Sequence, residues 1–415
     1  MVRARTVAVL LIAVSLAAGV AYGGEPEQLI VGAKSAILID AASGAVLMGK
    51  DEHARLPIAS TTKILTALLA LESSRPDDWV VVSERATKVE GSALGLKPGE
   101  REPMDTLLAA LLLKSANDAA VAIAEHVGGS VEGFAARMNA RAKQIGATES
   151  HFVNPNGLHD PNHYSSAHDL ALITREAMKQ PRFRELVRTK EIDIFRPALN
   201  VVEPMVNHNK LLWRDDSVDG VKTGFVKESG HCLVASATRG DWRLISVVLD
   251  SPEMYGEAEA LLQWGFTQFR QEVLARPGQQ VGEARVGYGQ KRRVAAVCEF
   301  PLSTVVGPGL AEDAKVRAKM KGDLRAPIVA GQEVGTAELV VGGKVVATTA
   351  LVAKEAVAKS YVVVAAVWLG RIVLILVGAA LLIRANAKVI KAYRRRRRYV
   401  PSQSGGRGAD GTGMR

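Results

Sequence analysis

One segment contributes most to the fold prediction: Pro57-Ile-Ala-Ser60-Thr-Thr-Lys63-Ile-Leu-Thr-Ala-Leu-Leu-Ala-Leu71. From residue 61 to residue 71, apolar residues occupy most faces of a helix, which predicts a buried helix. Ser60 opens this helix, and Lys63 lies three positions later on the same face. A lysine amine can therefore reach a serine hydroxyl at a helix start, where the helix dipole favours developing negative charge.

A Ser-x-x-Lys motif alone is a weak signal, because it recurs by chance and often marks only a capped helix. A serine nucleophile needs a base, and an ordinary lysine, with a pKa near 10.4, is protonated at pH 7. Burial and a second cation would lower the lysine pKa and leave a free amine. We therefore expect Ser60 to be a nucleophile and Lys63 its general base only if further motifs support them.

The second motif is Ser115-Ala-Asn117, between a predicted helix over 104–113 and another that begins near Asp118. Alone, it is typical of a turn that joins two helices, with Asn117 or Asp118 as N-cap. In a catalytic site, Ser115 would pass a proton between Lys63 and the leaving amine. The amide of Asn117 would bind the substrate backbone.

The third motif, Lys222-Thr223-Gly224, precedes two apolar runs that predict a buried hairpin, so it is expected on an edge strand. The absence of a side chain at Gly224 lets a ligand approach closely, and an extended peptide could add beside the strand. Lys222 would be the second cation near Lys63, and with Thr223 it would hold a terminal carboxylate. The alternative for this motif alone is a charged residue on a sheet edge.

An oxyanion hole completes this predicted site. The backbone N–H groups of Phe225 and Ser60 would point at the reacting carbonyl oxygen. The three motifs occur once each and in the order found in class A β-lactamases and penicillin-binding proteins. Their joint occurrence is a far stronger signal than any one of them.

The chain resembles the low-molecular-mass penicillin-binding proteins of the D-alanyl-D-alanine carboxypeptidase family. The likeness covers roughly residues 30–355 and extends beyond the three motifs. The further matching segments are Gly91–Glu100, Asp118-Ala-Ala120, Asn154-Pro-Asn-Gly157-Leu158, His163-Tyr-Ser165, Asp169-Leu-Ala171 and Asp219-Gly-Val221. Phe225 departs from the family, where Thr or His commonly follows Lys-Thr-Gly.

The resemblance implies an α+β fold with a transpeptidase/β-lactamase-like core, an antiparallel sheet with a helical layer. The order of elements, with a hairpin first, helices in the middle and strands last, agrees with such a sheet. The implied reaction is removal of the terminal D-alanine from peptidoglycan stem peptides through an acyl-enzyme on Ser60, which β-lactams would trap. No cofactor is expected, and no metal site, since Pro161 separates His159 from His163.

Two other functions use the same residues. A β-lactamase or esterase would need a fast deacylation apparatus, and the motifs place no glutamate convincingly for that role. A catalytically silent peptidoglycan-binding protein would keep the Lys222 motif but could lose the nucleophile or the base.

The sequence predicts five segments in the order of an exported, membrane-anchored enzyme. They are a signal peptide (1–23), a catalytic domain (28–272), a small all-β sandwich domain (276–355), a transmembrane helix (361–383) and a basic cytoplasmic tail expected to be disordered (384–415). The catalytic domain would then lie outside the plasma membrane as part of a single-pass protein. Cys232 and Cys298 are expected to be separate buried thiols.

The formal charge of +10 comes from the chain ends. Ten Lys and Arg residues but one Asp lie from Arg384 onward, so the globular body is nearly neutral. The high isoelectric point therefore gives no reason to expect a nucleic-acid partner.

Overall fold

The computed structural model describes residues 29–308, 310 and 313–397, and these divide into two compact units. The first consists mainly of residues up to 273, and it also takes in parts of 303–314 and all of 340–347. The second takes the remaining segments from residue 274 onward. The predicted signal peptide (1–23) and the end of the basic tail (398–415) lie outside the described residues.

The first nine strands of the described chain all lie in the first unit, and most of them are antiparallel neighbours in one central sheet. They are β1 (Ser35–Asp40), β2 (Val46–Lys50), β3 (Trp79–Val81), β4 (Arg101–Pro103), β5 (Glu191–Arg196), β6 (Val201–Val206), β7 (Val218–Val226), β8 (Gly230–Arg239) and β9 (Trp242–Ser251). The central sheet has the order β2-β1-β9-β8-β7, which leaves β7 at an edge. The remaining four strands form the small pairs β3-β4 and β5-β6.

Helices cover both faces of the central sheet. They are α1 (Lys63–Ser73), α2 (Glu84–Thr87), α3 (Met104–Leu112), α4 (Asn117–Gly128), α5 (Val131–Ile145), α6 (Ala167–Ala177), α7 (Pro181–Arg188) and α8 (Met254–Gln268). On one face, residues such as Ile37 and Val234 pack with α1, α3, α4 and α6. On the other face, residues such as Leu38 and Leu244 pack against α8. The predicted α+β core, an antiparallel sheet with a helical layer, is confirmed.

Most of the predicted helices and strands lie within a few residues of those in the structure. The hairpin expected from Ser35 to Met48 is β1-β2, and the buried hairpin after the third motif is β8-β9. Ser166 caps α6 by accepting a hydrogen bond from Asp169 N (3.1 Å), and a serine followed three residues later by an acid is a typical sequence pattern of a helix start. Gly129 ends α4 in the left-handed conformation that favours glycine.

The start of the first buried helix differs from the prediction. Residues Ala59–Thr62 form a 3₁₀ turn, and the α-helix begins only at Lys63. Successive turns of a 3₁₀ helix have three residues, so side chains at i and i+3 eclipse each other. Ser60 and Lys63 therefore lie closer above one another than in an ideal α-helix.

Strands form most of the second unit. The pair of β10 (Arg270–Ala275) with β13 (Leu302–Val306) consists mostly of residues of the first unit, whereas the five-stranded sheet, with the order β11-β12-β16-β15-β14, consists mostly of residues of the second. The strands of that sheet are β11 (Gln280–Arg285), β12 (Arg293–Cys298), β14 (Lys315–Met320), β15 (Glu333–Val341) and β16 (Lys344–Ala353). A sheet region after the catalytic core, expected from the short alternating runs, is confirmed. Cys232 in β8 and Cys298 in β12 are both buried free thiols, as expected.

A long apolar helix, α9 (Tyr361–Arg397), ends the described chain. Its apolar part has a mean hydropathy of 2.5 and is long enough to cross a membrane. The prediction ended this helix at residue 383 and expected disorder afterwards. The helix instead continues through 384–397, because Ala, Lys, Arg and Ile in this stretch include strong helix formers and no Gly or Pro.

Candidate active site

Ser60 and Lys63 meet where the 3₁₀ turn passes into α1. The distance from Lys63 Nζ to Ser60 Oγ is 2.8 Å. Lys63 is fully buried, whereas Ser60 is half-buried and open to a ligand. The predicted nucleophile and base are therefore in direct hydrogen-bond contact.

Two further oxygen atoms surround the amine of Lys63. Asn117 Oδ1 and the backbone oxygen of Asn156 each lie 2.7 Å from Lys63 Nζ. The Asn117 amide is oriented unambiguously, because its Nδ2 donates to the carbonyl of Glu90 at 2.6 Å. Both oxygens are acceptors only, so each must receive a hydrogen from the amine.

Both lysines of the site have pKa values below that of an ordinary lysine. Burial lowers the pKa of Lys63 well below its usual value, and the Lys222 cation lowers it further, against an opposing effect of Asp118. Burial alone lowers the pKa of Lys222 to about 7. Burial and the Lys222 cation therefore both favour the neutral amine of Lys63.

The third motif lies on the edge strand β7, opposite β8. Lys222 is buried and its Nζ donates to the backbone oxygen of Thr223 at 3.0 Å. A Cβ atom on Gly224 would lie 3.1 Å from both Ser60 N and Ile58 O, so the backbone of β7 runs against the 3₁₀ turn. Phe225 is exposed and stacks on His231, with ring centroids 4.6 Å apart.

Two site residues hold the backbone in the left-handed region without being glycine. Ala59, next to the nucleophile, has φ +46°, and Ser115 has φ +60°. Such conformations cost free energy and persist where the surrounding structure fixes them, often at active sites. Ser115 is nearly buried at the α3–α4 junction, but among the described residues it makes no hydrogen bond to Lys63.

Asp118 is a site residue whose sequence position indicates only a helix cap. Its carboxylate accepts hydrogen bonds from the backbone N–H groups of Leu94, Gly95 and Leu96, at 2.8–3.0 Å, and of Ala119. It therefore fixes the loop that also supplies the Glu90 carbonyl to Asn117. A buried acid directly after Asn117 is the signal that could have revealed this role.

His163 supports the backbone before the nucleophile. Val153 N donates to its Nδ1 (3.2 Å), and its Nε2 lies 2.8 Å from Thr62 Oγ1, which in turn donates to the Ala59 carbonyl. Burial lowers the pKa of His163 to about 4, so this histidine is neutral and donates through Nε2. The backbone of Gly157 also packs against Ala59, because a Cβ atom at position 157 would lie only 1.8 Å from the Ala59 carbonyl oxygen.

The geometry gives this site the chemistry of a serine acyl-transfer centre. A hydroxyl is in contact with a buried amine of lowered pKa, a second buried cation lies on the neighbouring strand, and an open sheet edge runs beside them. Asp118 has its oxygens occupied by backbone N–H groups, which leaves it an anchor rather than a base.

Comparisons with known proteins agree with this chemistry. Residues 24–253 match the profile of the D-alanyl-D-alanine carboxypeptidase family, and residues 269–359 match that of the penicillin-binding protein 5 C-terminal domain. D-alanyl-D-alanine carboxypeptidase DacF of Bacillus subtilis is 36% identical over 347 residues, which cover 81% of this chain and 89% of the relative.

Two solved structures show the same likeness. Penicillin-binding protein 5 from Haemophilus influenzae has a TM-score of 0.61 and 32% identity, and the match covers 81% of this chain and all of that chain. A mutant of the Streptomyces K15 DD-transpeptidase has a TM-score of 0.56 and 30% identity, and the match covers 58% of this chain and all of that one.

Proposed function

The chain belongs to the D-alanyl-D-alanine carboxypeptidase family, and from that premise we propose how its residues remove the terminal D-alanine from a peptidoglycan stem peptide. It is a serine-type hydrolase, and Ser60 is the nucleophile that forms the acyl-enzyme. The observation that carries this assignment is the set of three oxygen atoms around Lys63 Nζ.

A neutral lysine amine has two hydrogens and one lone pair. Asn117 Oδ1 and the Asn156 carbonyl can only accept, so they take both hydrogens. The lone pair is left for the third neighbour, the hydroxyl of Ser60 at 2.8 Å. Ser60 therefore donates its hydrogen to Lys63, which is the arrangement that general-base catalysis requires.

The proposed reaction has two proton transfers, one from Ser60 to Lys63 and one to the departing D-alanine. Ser60 Oγ attacks the carbonyl carbon of the penultimate D-alanine, and its proton passes to Lys63 Nζ. The peptide C–N bond then breaks, and the proton reaches the nitrogen of the departing D-alanine by way of Ser115. A water molecule hydrolyses the ester on Ser60 and regenerates the hydroxyl.

Lys222 and Thr223 bind the carboxylate at the end of the substrate. Lys222 donates to a single described acceptor, the Thr223 carbonyl, so its remaining N–H groups are available for an anion. The second N–H of Asn117 Nδ2, beside the one given to Glu90, is available for the substrate backbone.

The backbone N–H groups of Ser60 and Phe225 form the proposed oxyanion hole. The closeness of Gly224 to Ser60 N supports this role, because it sets the two backbones side by side. Phe225 contributes no side-chain atom to the reaction in this arrangement.

β-Lactams acylate the same serine, and the adduct is expected to be long-lived. In the described part of the chain, no carboxylate is hydrogen-bonded to Ser60 or Lys63, and Asp118 is occupied by backbone groups. The site therefore lacks an acidic residue positioned to activate a deacylating water in the manner of class A β-lactamases.

We assign helix α9 as the anchor of a single-pass membrane protein. Five consecutive arginines, 394–398, follow the apolar stretch, and the positive-inside rule then sets the C-terminus in the cytoplasm. The catalytic unit would lie on the outer side of the plasma membrane, where stem peptides are exposed.

The function is tested with full-length protein in detergent, incubated with diacetyl-L-Lys-D-Ala-D-Ala and with labelled penicillin. We expect release of one D-alanine per peptide and a slowly decaying penicillin adduct on Ser60. Ser60→Ala should lose both, whereas the control Ser73→Ala, at the exposed end of α1, should keep both. Rapid penicillin turnover without D-alanine release would contradict the assignment, and an absent adduct would favour a silent binding protein.

The topology is tested separately by protease treatment of intact spheroplasts. External protease should digest the catalytic unit and leave the C-terminal tail protected. A deletion from Tyr361 onward should release the catalytic unit from the membrane fraction, and retention of that truncated protein would contradict the anchor.

A further inference from the structure

Two histidines and a glutamate from three separate segments meet outside the catalytic residues. His53 follows β2, Glu149 lies in the loop after α5, and His168 lies in the first turn of α6. One potential ligand atom from each residue lies within 4.8 Å of the other two. Because these positions are distant in the sequence, no spacing motif marks the cluster.

The distances within the cluster are close to those around a bound metal. His53 Nδ1 lies 2.9 Å from Glu149 Oε1, and the rings of His53 and His168 have centroids 4.8 Å apart. Metal–ligand bonds of 2.0–2.2 Å in a tetrahedral zinc site set neighbouring ligand atoms about 3.3 Å apart. The three ligand atoms lie within 4.8 Å of one another, which is wider than this spacing, so metal binding requires a change in side-chain orientation, for which the exposed His53 has room.

Groups behind the cluster already orient two of the three side chains. Ser166 Oγ donates to Glu149 Oε2 at 2.6 Å, which fixes that carboxylate. His168 Nδ1 lies 3.4 Å from Asp169 Oδ1, which leaves Nε2 for a ligand. A carboxylate behind a histidine is the usual outer partner of a metal-bound imidazole.

The charge of the cluster also favours a cation. Glu149 and Asp169 lie within it, and Glu52 Oε1 is 3.8 Å from His53 Nε2. Three carboxylates therefore surround the two imidazoles. Two imidazole nitrogens and one carboxylate suit zinc and similar transition metals better than calcium or magnesium.

We propose that His53, Glu149 and His168 form a zinc site that joins three segments of the fold, with water as a fourth ligand. This site is independent of the carboxypeptidase reaction and differs from the expectation, drawn from the sequence alone, that the chain has no metal site. That expectation rested on the pair His159 and His163, whereas the fold brings together histidines 115 positions apart.

A metal here would reinforce the segment that leads to the nucleophile. Residues 52–56 are already joined to the start of α6 by backbone hydrogen bonds, from His168 N to the Glu52 carbonyl (2.9 Å) and in both directions between Leu56 and Ser165 (2.8 and 3.1 Å). Ser60 follows Leu56 by four residues. Zinc would add a third connection between these segments and stabilise the folded state by an amount that grows with the logarithm of the zinc concentration above its dissociation constant.

The site is tested with the full-length protein in detergent, treated with EDTA and then freed of it. Zinc affinity and stoichiometry are measured by competition with a chromophoric chelator, and cobalt(II) serves as a spectroscopic probe. We expect one zinc ion per chain, intense visible absorption of tetrahedral cobalt, and a higher thermal midpoint with zinc. Neither magnesium nor calcium should displace the cobalt.

Variants at the cluster decide whether the binding is specific. His53→Ala, His168→Ala and Glu149→Gln should each weaken zinc binding at least about tenfold, while His126→Ala, at an exposed histidine in α4, should not. Unchanged affinity in the first three variants, or less than one equivalent bound by the wild type, would overturn the proposal. Ser60→Ala should bind zinc normally, which separates this outcome from failure of the proposed catalytic function.

Discussion

The two buried lysines of the active site lie in regions that treat the same side chain differently. Lys63, in the helical layer, is surrounded by Ser60 Oγ, Asn117 Oδ1 and the Asn156 carbonyl, all within 2.8 Å of its amine. Lys222, on the edge strand β7, donates to one described acceptor, the Thr223 carbonyl, at 3.0 Å. Both are almost fully buried, so burial alone does not distinguish them.

This difference shows that the two lysines are distinguished by their hydrogen-bond partners rather than by their burial. Around Lys63 the acceptors use up the hydrogens of a neutral amine and direct its lone pair at the nucleophile. Around Lys222 unused N–H groups remain beside an open strand edge, where an anionic substrate end can bind. In the proposed mechanism one lysine therefore moves a proton, and the other holds a charge.

The largest expected effect comes from removing the amine in the helical layer. Lys63→Ala should slow acylation by penicillin and D-alanine release by about 10²–10⁴-fold, since the general base is lost. Stopped-flow or gel measurement of the adduct, with circular dichroism to verify folding, checks this. Lys143→Ala, an exposed lysine in α5, is the control. Near-normal acylation in Lys63→Ala would remove Lys63 from the base role.

Removing the amine on the strand should have a smaller effect that depends on the substrate. Lys222→Met should lower kcat/KM for D-alanine release by about 10–100-fold, because a hydrogen bond to a charged group contributes roughly 1.5–3 kcal/mol. The wild type should have a higher kcat/KM for a peptide with a free terminal carboxylate than for the same peptide with a terminal amide. The variant should lose that difference. An undiminished preference would show that Lys222 does not bind the carboxylate.

The two lysines should also divide the pH dependence between them. Activity requires Lys63 neutral and Lys222 protonated, so kcat/KM should rise through the lowered pKa of Lys63 and fall above the Lys222 pKa of about 7. The fall should be about tenfold per pH unit above that pKa.

Two controls sharpen this profile. A bound carboxylate raises the Lys222 pKa, so the alkaline limb of kcat should lie above that of kcat/KM. In Lys222→Arg the alkaline limb should disappear, because guanidinium stays charged, whatever the change in absolute rate. An alkaline limb that persists unchanged in this variant would assign it to another group.

The smallest effect is expected at Phe225, the last strand residue of the proposed site. Phe225→Ala keeps the backbone N–H and removes a ring that is exposed and stacked on His231. We expect kcat for the small peptide to change by less than about threefold. A loss similar to that of Lys222→Met would mean that the side chain, rather than the N–H group, acts in the reaction.

Local patterns were sufficient for most of the secondary structure around the site. The β1-β2 and β8-β9 hairpins and helices α3, α4 and α6 follow from apolar periodicity and turn residues, because these signals lie within single segments. The 3₁₀ turn at Ala59–Thr62 was missed because nothing local separates it from the first turn of an α-helix. Its conformation depends on Gly157 and His163, which are about a hundred residues away.

The sequence by itself determined which residue types the site contains, since Ser60, Lys63, Lys222 and Asn117 each stand in a recognisable short motif in the required order. Only the tertiary structure supplies the neighbours on which the proposed role of each residue depends. The Asn156 carbonyl, the anchoring of the 91–96 loop by Asp118 and the meeting of His53 with His168 all join distant segments, which no local spacing encodes. Protonation and ligand binding depend on such neighbours at distances of about 3 Å, and only packing of the whole unit brings them together.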